Sequence, residues 1–164
     1  MKSKLKIRAK SVYSTKNANQ KIKLITGRAY IGIECISTSE KRIGLFYVFP
    51  GTEVILDKKL KLYFSEDSEI EIENLSEDFY SIPNDIYMLL INKIVLLTGY
   101  SVYDSVLTSL DELQKYYGNC FYVTRKELAA MSGCSREMVG RTLKKLIKSN
   151  YLEHTTGKKI KIKS

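Results

Sequence analysis

Cysteine is scarce in these 164 residues, and its three copies, Cys35, Cys120 and Cys134, stand far apart. An odd number without CxxC spacing excludes a disulfide framework and a thiolate metal cluster, and fits reduced thiols in a cytosol. Histidine occurs once, as His154. The chain offers no Ser/His/Asp set, no paired carboxylates in an apolar context and no glycine-rich phosphate loop, so enzymatic chemistry has no carrier. Long apolar runs are also missing. The strongest, Ile86–Leu97, is broken by Asn92 and Lys93 and falls short of the roughly 20 residues of a membrane span. The basic N-terminus is not followed by a signal-type apolar stretch. These absences point to a cytoplasmic protein that needs no metal or cofactor and does not engage a membrane.

What is present is a hydrophobic content of 44%, enough for a real core in one good-sized domain or two small ones. The net charge of +9 is unevenly spread. Residues 1–25 carry eight Lys/Arg and no Asp/Glu, residues 26–120 net −7, and residues 121–164 net +8. A basic C-terminal module beside an acidic middle points to a polyanionic partner for that module.

From Leu5 to about Ile72 the pattern is short and strand-like. Leu5, Ile7 and Ala9, then Ile22 and Leu24, alternate with polar or basic residues. Ala29–Ile36 and Ile43–Phe49 are rich in β-branched and aromatic residues around a turn at Ser37–Glu40. Pro50-Gly51 marks a further turn before Val54–Leu56 and Leu60–Phe64, and Ile70 and Ile72 alternate with glutamates. Short strands with regular turns predict a small antiparallel β-roll. The N-terminal lysines read either as phosphate contacts or as solvated strand residues.

Ser76–Asn84 reads as a connector in which Pro83 ends an extended segment and Asn84 or Asp85 caps a helix. Ile86–Leu97 is apolar nearly all round, which argues for burial on more than one side. Ser101–Tyr117 follows as an amphipathic helix with Val102, Val106, Leu110 and Leu113 inward, closed by Gly118-Asn119.

Thr124–Ile162 carries the sharpest pattern: helix, tight turn, second helix, hairpin. Thr124 is a good N-cap with Glu127 three residues on, and Gly133 suits the positive φ of a sharp helix exit. Ser135 opens a second helix, Ser135–Asn150, with core face Val139, Leu143, Leu146 and Ile147. Arg136, Glu137, Gly140, Arg141, Lys144 and Lys148 make up another, polar side of that helix. Arginine can pair bidentately with guanine, and glutamate can accept from cytosine N4. Gly140 removes bulk that would keep the backbone from its target. The alternative is a charged surface with i,i+4 pairing of Glu137 and Arg141. Tyr151–His154 and Lys159–Ile162 flank a glycine turn, Thr155–Lys158, as a wing. Its lysines can track a phosphate backbone or merely protect an edge strand.

Thr124–Arg141, and above all Gly133-Cys134-Ser135-Arg136-Glu137 with Val139-Gly140-Arg141, resembles the helix-turn-helix of the cyclic-AMP receptor protein (CRP/FNR) family of bacterial transcription regulators. The resemblance implies that Arg136, Glu137 and Arg141 read bases. Arg125 and Ser135 match its phosphate-contacting positions, and Thr124, Lys144, Lys158 and Lys159 complete the expected phosphate-binding set. Met138 stands where the family usually has threonine, and Thr142 where an apolar residue is common. Gly27, a strand pair and Phe49-Pro50-Gly51-Thr52-Glu53 resemble the family's jelly roll. The short Gly-Glu helix and arginine segment that hold a cyclic nucleotide's phosphate are missing. Cys134 reads as a small buried hydrophobe rather than a redox switch, and His154 as structural or a phosphate donor.

The expectation is an α+β chain. Residues 1–82 form a truncated, cyclic-nucleotide-binding-like β-roll, 83–100 a dimerisation helix and hinge, and 101–164 a winged helix-turn-helix. Ile86, Leu89, Leu90, Ile94 and Leu97 are assigned to the homodimer interface. The expected function is sequence-specific regulation of transcription at a palindromic double-stranded DNA site, with half-sites similar to the family's TGTGA and no cyclic nucleotide. RNA polymerase is a further partner if the protein activates. The competing readings are a sensor with an apolar effector in the roll and a protein that sequesters a related regulator.

Overall fold

Strand pairing explains most of the N-terminal pattern. In the computed structural model, which describes residues 2–15, 19–34, 42–56, 59–75, 90, 93–94, 99–153 and 158–163, the chain divides into Met1–Ile91 and Asn92–Ser164. The boundary lies inside the segment assigned above to the connecting helix.

The first unit contains β1 (Lys2–Ile7), β2 (Val12–Tyr13), β3 (Gln20–Thr26), β4 (Ala29–Glu34), β5 (Arg42–Val48), β6 (Glu53–Leu56), β7 (Lys61–Phe64) and β8 (Ser68–Asn74). They form two four-stranded antiparallel sheets, ordered β1-β8-β3-β6 and β2-β7-β4-β5. The period of two sends Ile22, Leu24, Ile70 and Ile72 from one sheet, and Ile31, Phe46, Val48, Leu62 and Phe64 from the other, into a shared core. Gly27 sits at φ +88°, and a Cβ there would lie 2.2 Å from Ser68 Oγ and 2.5 Å from the Asp67 carbonyl oxygen. Only glycine fits that turn without displacement. The two-residue β2 had no periodic signal in the sequence.

The N-terminal lysines are neither idle nor a free cationic arm. Lys2, Lys4 and Lys6 on β1 stand opposite Glu73, Glu71 and Glu69 on β8, and Lys21 and Lys23 on β3 face Glu73 and Glu71 from the other side. Ion pairs link Lys2 to Glu71 at 3.2 Å and Lys21 to Glu53 at 2.6 Å. The acidic segment therefore largely compensates the basic one across the sheet, and most of the excess positive charge, +7 of +9, belongs to the C-terminal unit.

That unit contains α1 (Val102–Tyr117), β9 (Cys120–Tyr122), α2 (Arg125–Ser132), α3 (Arg136–Lys148) and β10 (Lys159–Lys161). Each helix begins on a side-chain cap. Ser101, Thr124 and Ser135 accept from the backbone N–H of Asp104, Glu127 and Met138 respectively. Gly133 ends α2 in the left-handed region at φ 65°, and Asn150 does so just after α3 at φ 66°, with Tyr151 N–H donating to the Leu146 carbonyl. Val106, Leu110 and Leu113 of α1 are buried with Leu128, Met131, Val139 and Leu146, while Val102 is half-buried. A hydroxyl seam crosses this core: Ser109 donates to the Ser105 carbonyl, and Ser132 Oγ lies 3.5 Å from Ser109 Oγ.

The wing differs from a plain hairpin. Leu152 meets Ile162 in a single bridge, while β10 forms its longer ladder with β9, Lys159 opposite Tyr122 and Lys161 opposite Cys120. Lys159, Lys161 and Lys163 face solvent and Ile162 is buried. The turn at Ser37–Glu40, the connector Ser76–Asn84, the interface residues Ile86, Leu89 and Leu97, and Cys35, His154 and Thr155–Gly157 lie outside the described residues. Among the described residues no helix is long and apolar enough to cross a membrane, and no cluster of potential metal ligands occurs.

Candidate nucleic-acid interface

The N-terminal turn of α3 presents its polar side chains as a consequence of what its apolar ones do. Val139, Thr142 and Leu146 are buried, so Glu137 and Arg141 are left exposed on the opposite side, and Arg136 is exposed at the flank of the first turn. Thr142 shares the inward face where an apolar residue was expected. Leu143 and Ile147, placed in the core by periodicity, are half-buried and form one wall of a groove.

That groove, of about 550 Å³, runs between α3, the start of α2 and the wing. Leu143, Ile147, Leu152 and Ile160 supply apolar walls, and Arg125, Lys144, Lys148, Lys158 and Lys159 supply positive charge. Five of the six residues assigned to phosphate (Thr124, Arg125, Lys144, Lys158 and Lys159) line it. The sixth, Ser135, is the exposed N-cap of α3. Lys148 joins the set without having been assigned to it. Thr124 and Ser135 each accept a backbone N–H with the side-chain oxygen. A hydroxyl that accepts in this way still carries a proton it can donate to a phosphate. Two helix N-termini thus open onto the cationic surface, an arrangement that favours anions.

Gly140 has a neighbour that the sequence did not disclose. A Cβ at this position would meet Arg125 Nη1 at 3.8 Å, so the glycine lies beneath the guanidinium of the preceding helix. Glu137 and Arg141 pair at 2.5 Å while remaining 74% and 72% exposed. The i,i+4 contact is therefore real in the free protein. It is also weak, about 0.3–0.5 kcal/mol for such a pair, and does not prevent either group from turning to a base.

The scaffold behind this surface contains two polar ties without a sequence signal. Tyr151 at the wing's root donates to Asp111 of α1 at 2.7 Å; burial and the carboxylate push its phenol up to about 12. Lys93, helical and 7% exposed, donates to the Met131 carbonyl at the end of α2. Burial pulls its ammonium down to about 8, with the Glu112 carboxylate opposing. Cys134, expected as a small buried hydrophobe, is half-buried, and that burial raises its thiol.

Residues 105–164 match the family model of the Crp-like helix-turn-helix domain. The C-terminal unit carries a Crp-like helix-turn-helix. The chain is 31% identical over 137 residues to the CRP-like protein Clp of Xanthomonas campestris pv. campestris (strain B100), a match covering 72% of this chain and 59% of the relative. The chain thus spans less than two thirds of the curated relatives it matches. Among solved structures, FixK2 from Bradyrhizobium japonicum is similar with a TM-score of 0.81 at 14% identity, over 100% of this chain and 93% of that one. The c-di-GMP responsive global regulator CLP of Xanthomonas campestris gives 0.78 at 21% identity, over 99% and 94%. In sequence at the helix-turn-helix, and in fold throughout, the chain resembles the CRP/FNR regulators.

Proposed function

We propose that this protein is a sequence-specific transcription regulator. It binds a palindromic DNA site as a homodimer and places α3 of each protomer in successive major grooves about 34 Å apart. The observation that carries the reading is the joint exposure of Arg136, Glu137 and Arg141 on α3 beside the groove cations Arg125, Lys144, Lys158 and Lys159. The first set has the chemistry of guanine and cytosine recognition, the second that of the phosphate backbone. Ile94, helical and 61% exposed in the single chain, supports a dimer formed through the segment around it, together with Leu90.

Binding is independent of cyclic nucleotide in this reading. Two features support that. Apolar side chains from both sheets pack into one shared core, and only four residues separate Leu56 at the end of β6 from Lys61 at the start of β7.

Fluorescence anisotropy on a duplex with inverted TGTGA half-sites, and on a scrambled duplex of equal composition, tests the reading. Site-selective binding without added ligand, unchanged by cyclic AMP or by the c-di-GMP to which the Xanthomonas CLP responds, is the expected result. Selectivity that arises only with a nucleotide contradicts the independence, and equal binding to both duplexes contradicts the base-reading assignment.

A further inference from the structure

Met138 is the one large apolar side chain of α3 that the fold leaves outside. It is 41% exposed, whereas Val139 and Leu146 are buried and Leu143 and Ile147 half-buried. Its position is fixed: Met138 is the third residue after the Ser135 N-cap, and its N–H donates to Ser135 Oγ at 3.2 Å. At 100° per residue its side chain leaves the helix roughly 60° from that of Arg141, 100° from that of Glu137 and 160° from that of Arg136. It therefore borders the Arg141 side of the proposed base-reading face, within the first turn, the part of a recognition helix that reaches base edges.

A thioether in this place has no donor for a phosphate and gains nothing from water. The major groove displays a single apolar group, the C5-methyl of thymine; 5-methylcytosine offers the same group. Methionine suits it, being long, unbranched and polarizable. We infer that Met138 is a specificity residue that packs on the C5-methyl of a pyrimidine next to the base contacted by Arg141. The inference rests on the proposed DNA-reading function and adds a base that none of the charged groups Arg136, Glu137 and Arg141 would distinguish.

The test replaces each thymine of the bound duplex by uracil, one at a time, and measures affinity by anisotropy for the wild type and for Met138→Ala and Met138→Thr. One uracil position per half-site weakens the wild type by about 3- to 10-fold, the worth of a buried methyl, and leaves Met138→Ala and Met138→Thr unaffected. A C·G pair placed at that position, compared with its 5-methylcytosine form, separates the methyl from the rest of the base pair. The methylated form binds the wild type more tightly and does not distinguish itself to Met138→Ala. Selective wild-type binding that is indifferent to every uracil overturns the Met138 inference and leaves the regulator reading standing. A preference for thymine over uracil that persists equally in Met138→Ala also overturns it. A wild type that does not select the site at all overturns both.

Discussion

Lys93 is buried with its charge, and its titration ties the helix that carries it to the end of α2. Its folded pKa of about 8 lies below that of a solvated lysine, about 10.4. Above pH 8 the folded chain therefore holds fewer protons than the unfolded one, and stability rises with pH. Cys134, raised by burial, and Tyr151, raised to about 12, act oppositely: the unfolded chain loses these protons first, from about pH 9 and 10 respectively. The melting temperature of the full chain is expected to climb between pH 7.5 and 9 and to level or fall beyond. Lys93→Met removes the climb; an unchanged pH profile in that variant contradicts the assignment. At the exposed face of α3 the expectation differs. Arg136→Ala and Arg141→Ala shift stability by no more than about 0.5 kcal/mol, measured by thermal unfolding, because their side chains pack on nothing that folding needs.

Two glycines separate what an element requires from what it merely tolerates. At Gly27 the positive φ and the 2.2 Å approach of Ser68 Oγ make Gly27→Ala destabilising by about 1–3 kcal/mol for the backbone alone. At Gly140 a methyl meets Arg125 only at ordinary contact distance, so Gly140→Ala stabilises the helix by about 0.5–1 kcal/mol. Denaturant unfolding checks both signs. The helices of the C-terminal unit were legible because Ser101, Thr124, Ser135 and Gly133 punctuate them where capping chemistry demands. β9 was not legible: three residues directly after a helix, Cys120-Phe121-Tyr122, are too few to show a period. Its pairing with Lys159–Lys161 depends on contacts made some forty positions along the chain. The exposure of Glu137 and Arg141 was legible from helical periodicity; their assignment with Arg136 to base reading comes from residue type and the resemblance, and belongs to the proposed function. The Arg125–Gly140 packing and the burial of Lys93 depend on how α2 meets its neighbours, which local spacing does not encode.

At the scale of the molecule, charge is divided by cross-strand pairing. The lysines of β1 and β3 face the glutamates of β8, while Arg125, Lys144, Lys158 and Lys159 gather along one groove. Replacing Lys144 or Lys159 by alanine is therefore expected to weaken matched and scrambled duplexes alike and to lower the salt slope by about 0.9 per lost phosphate contact. Lys4→Ala leaves that slope unchanged. Ile94→Asp is expected to convert a dimer to a monomer in sedimentation, with the affinity for a palindromic site falling toward that of a single half-site. A dimer that survives Ile94→Asp contradicts this placement of the interface.

The most direct test of the account is the ratio of affinities for the inverted TGTGA duplex and its scrambled counterpart, measured side by side for the wild type and Arg136→Ala. A ratio well above one that falls by about 10- to 100-fold in the variant, the worth of a bidentate base contact, while scrambled-duplex binding holds, is the predicted result. A ratio near one in the wild type, or a ratio unchanged by the substitution, contradicts α3 as the element that reads the sequence.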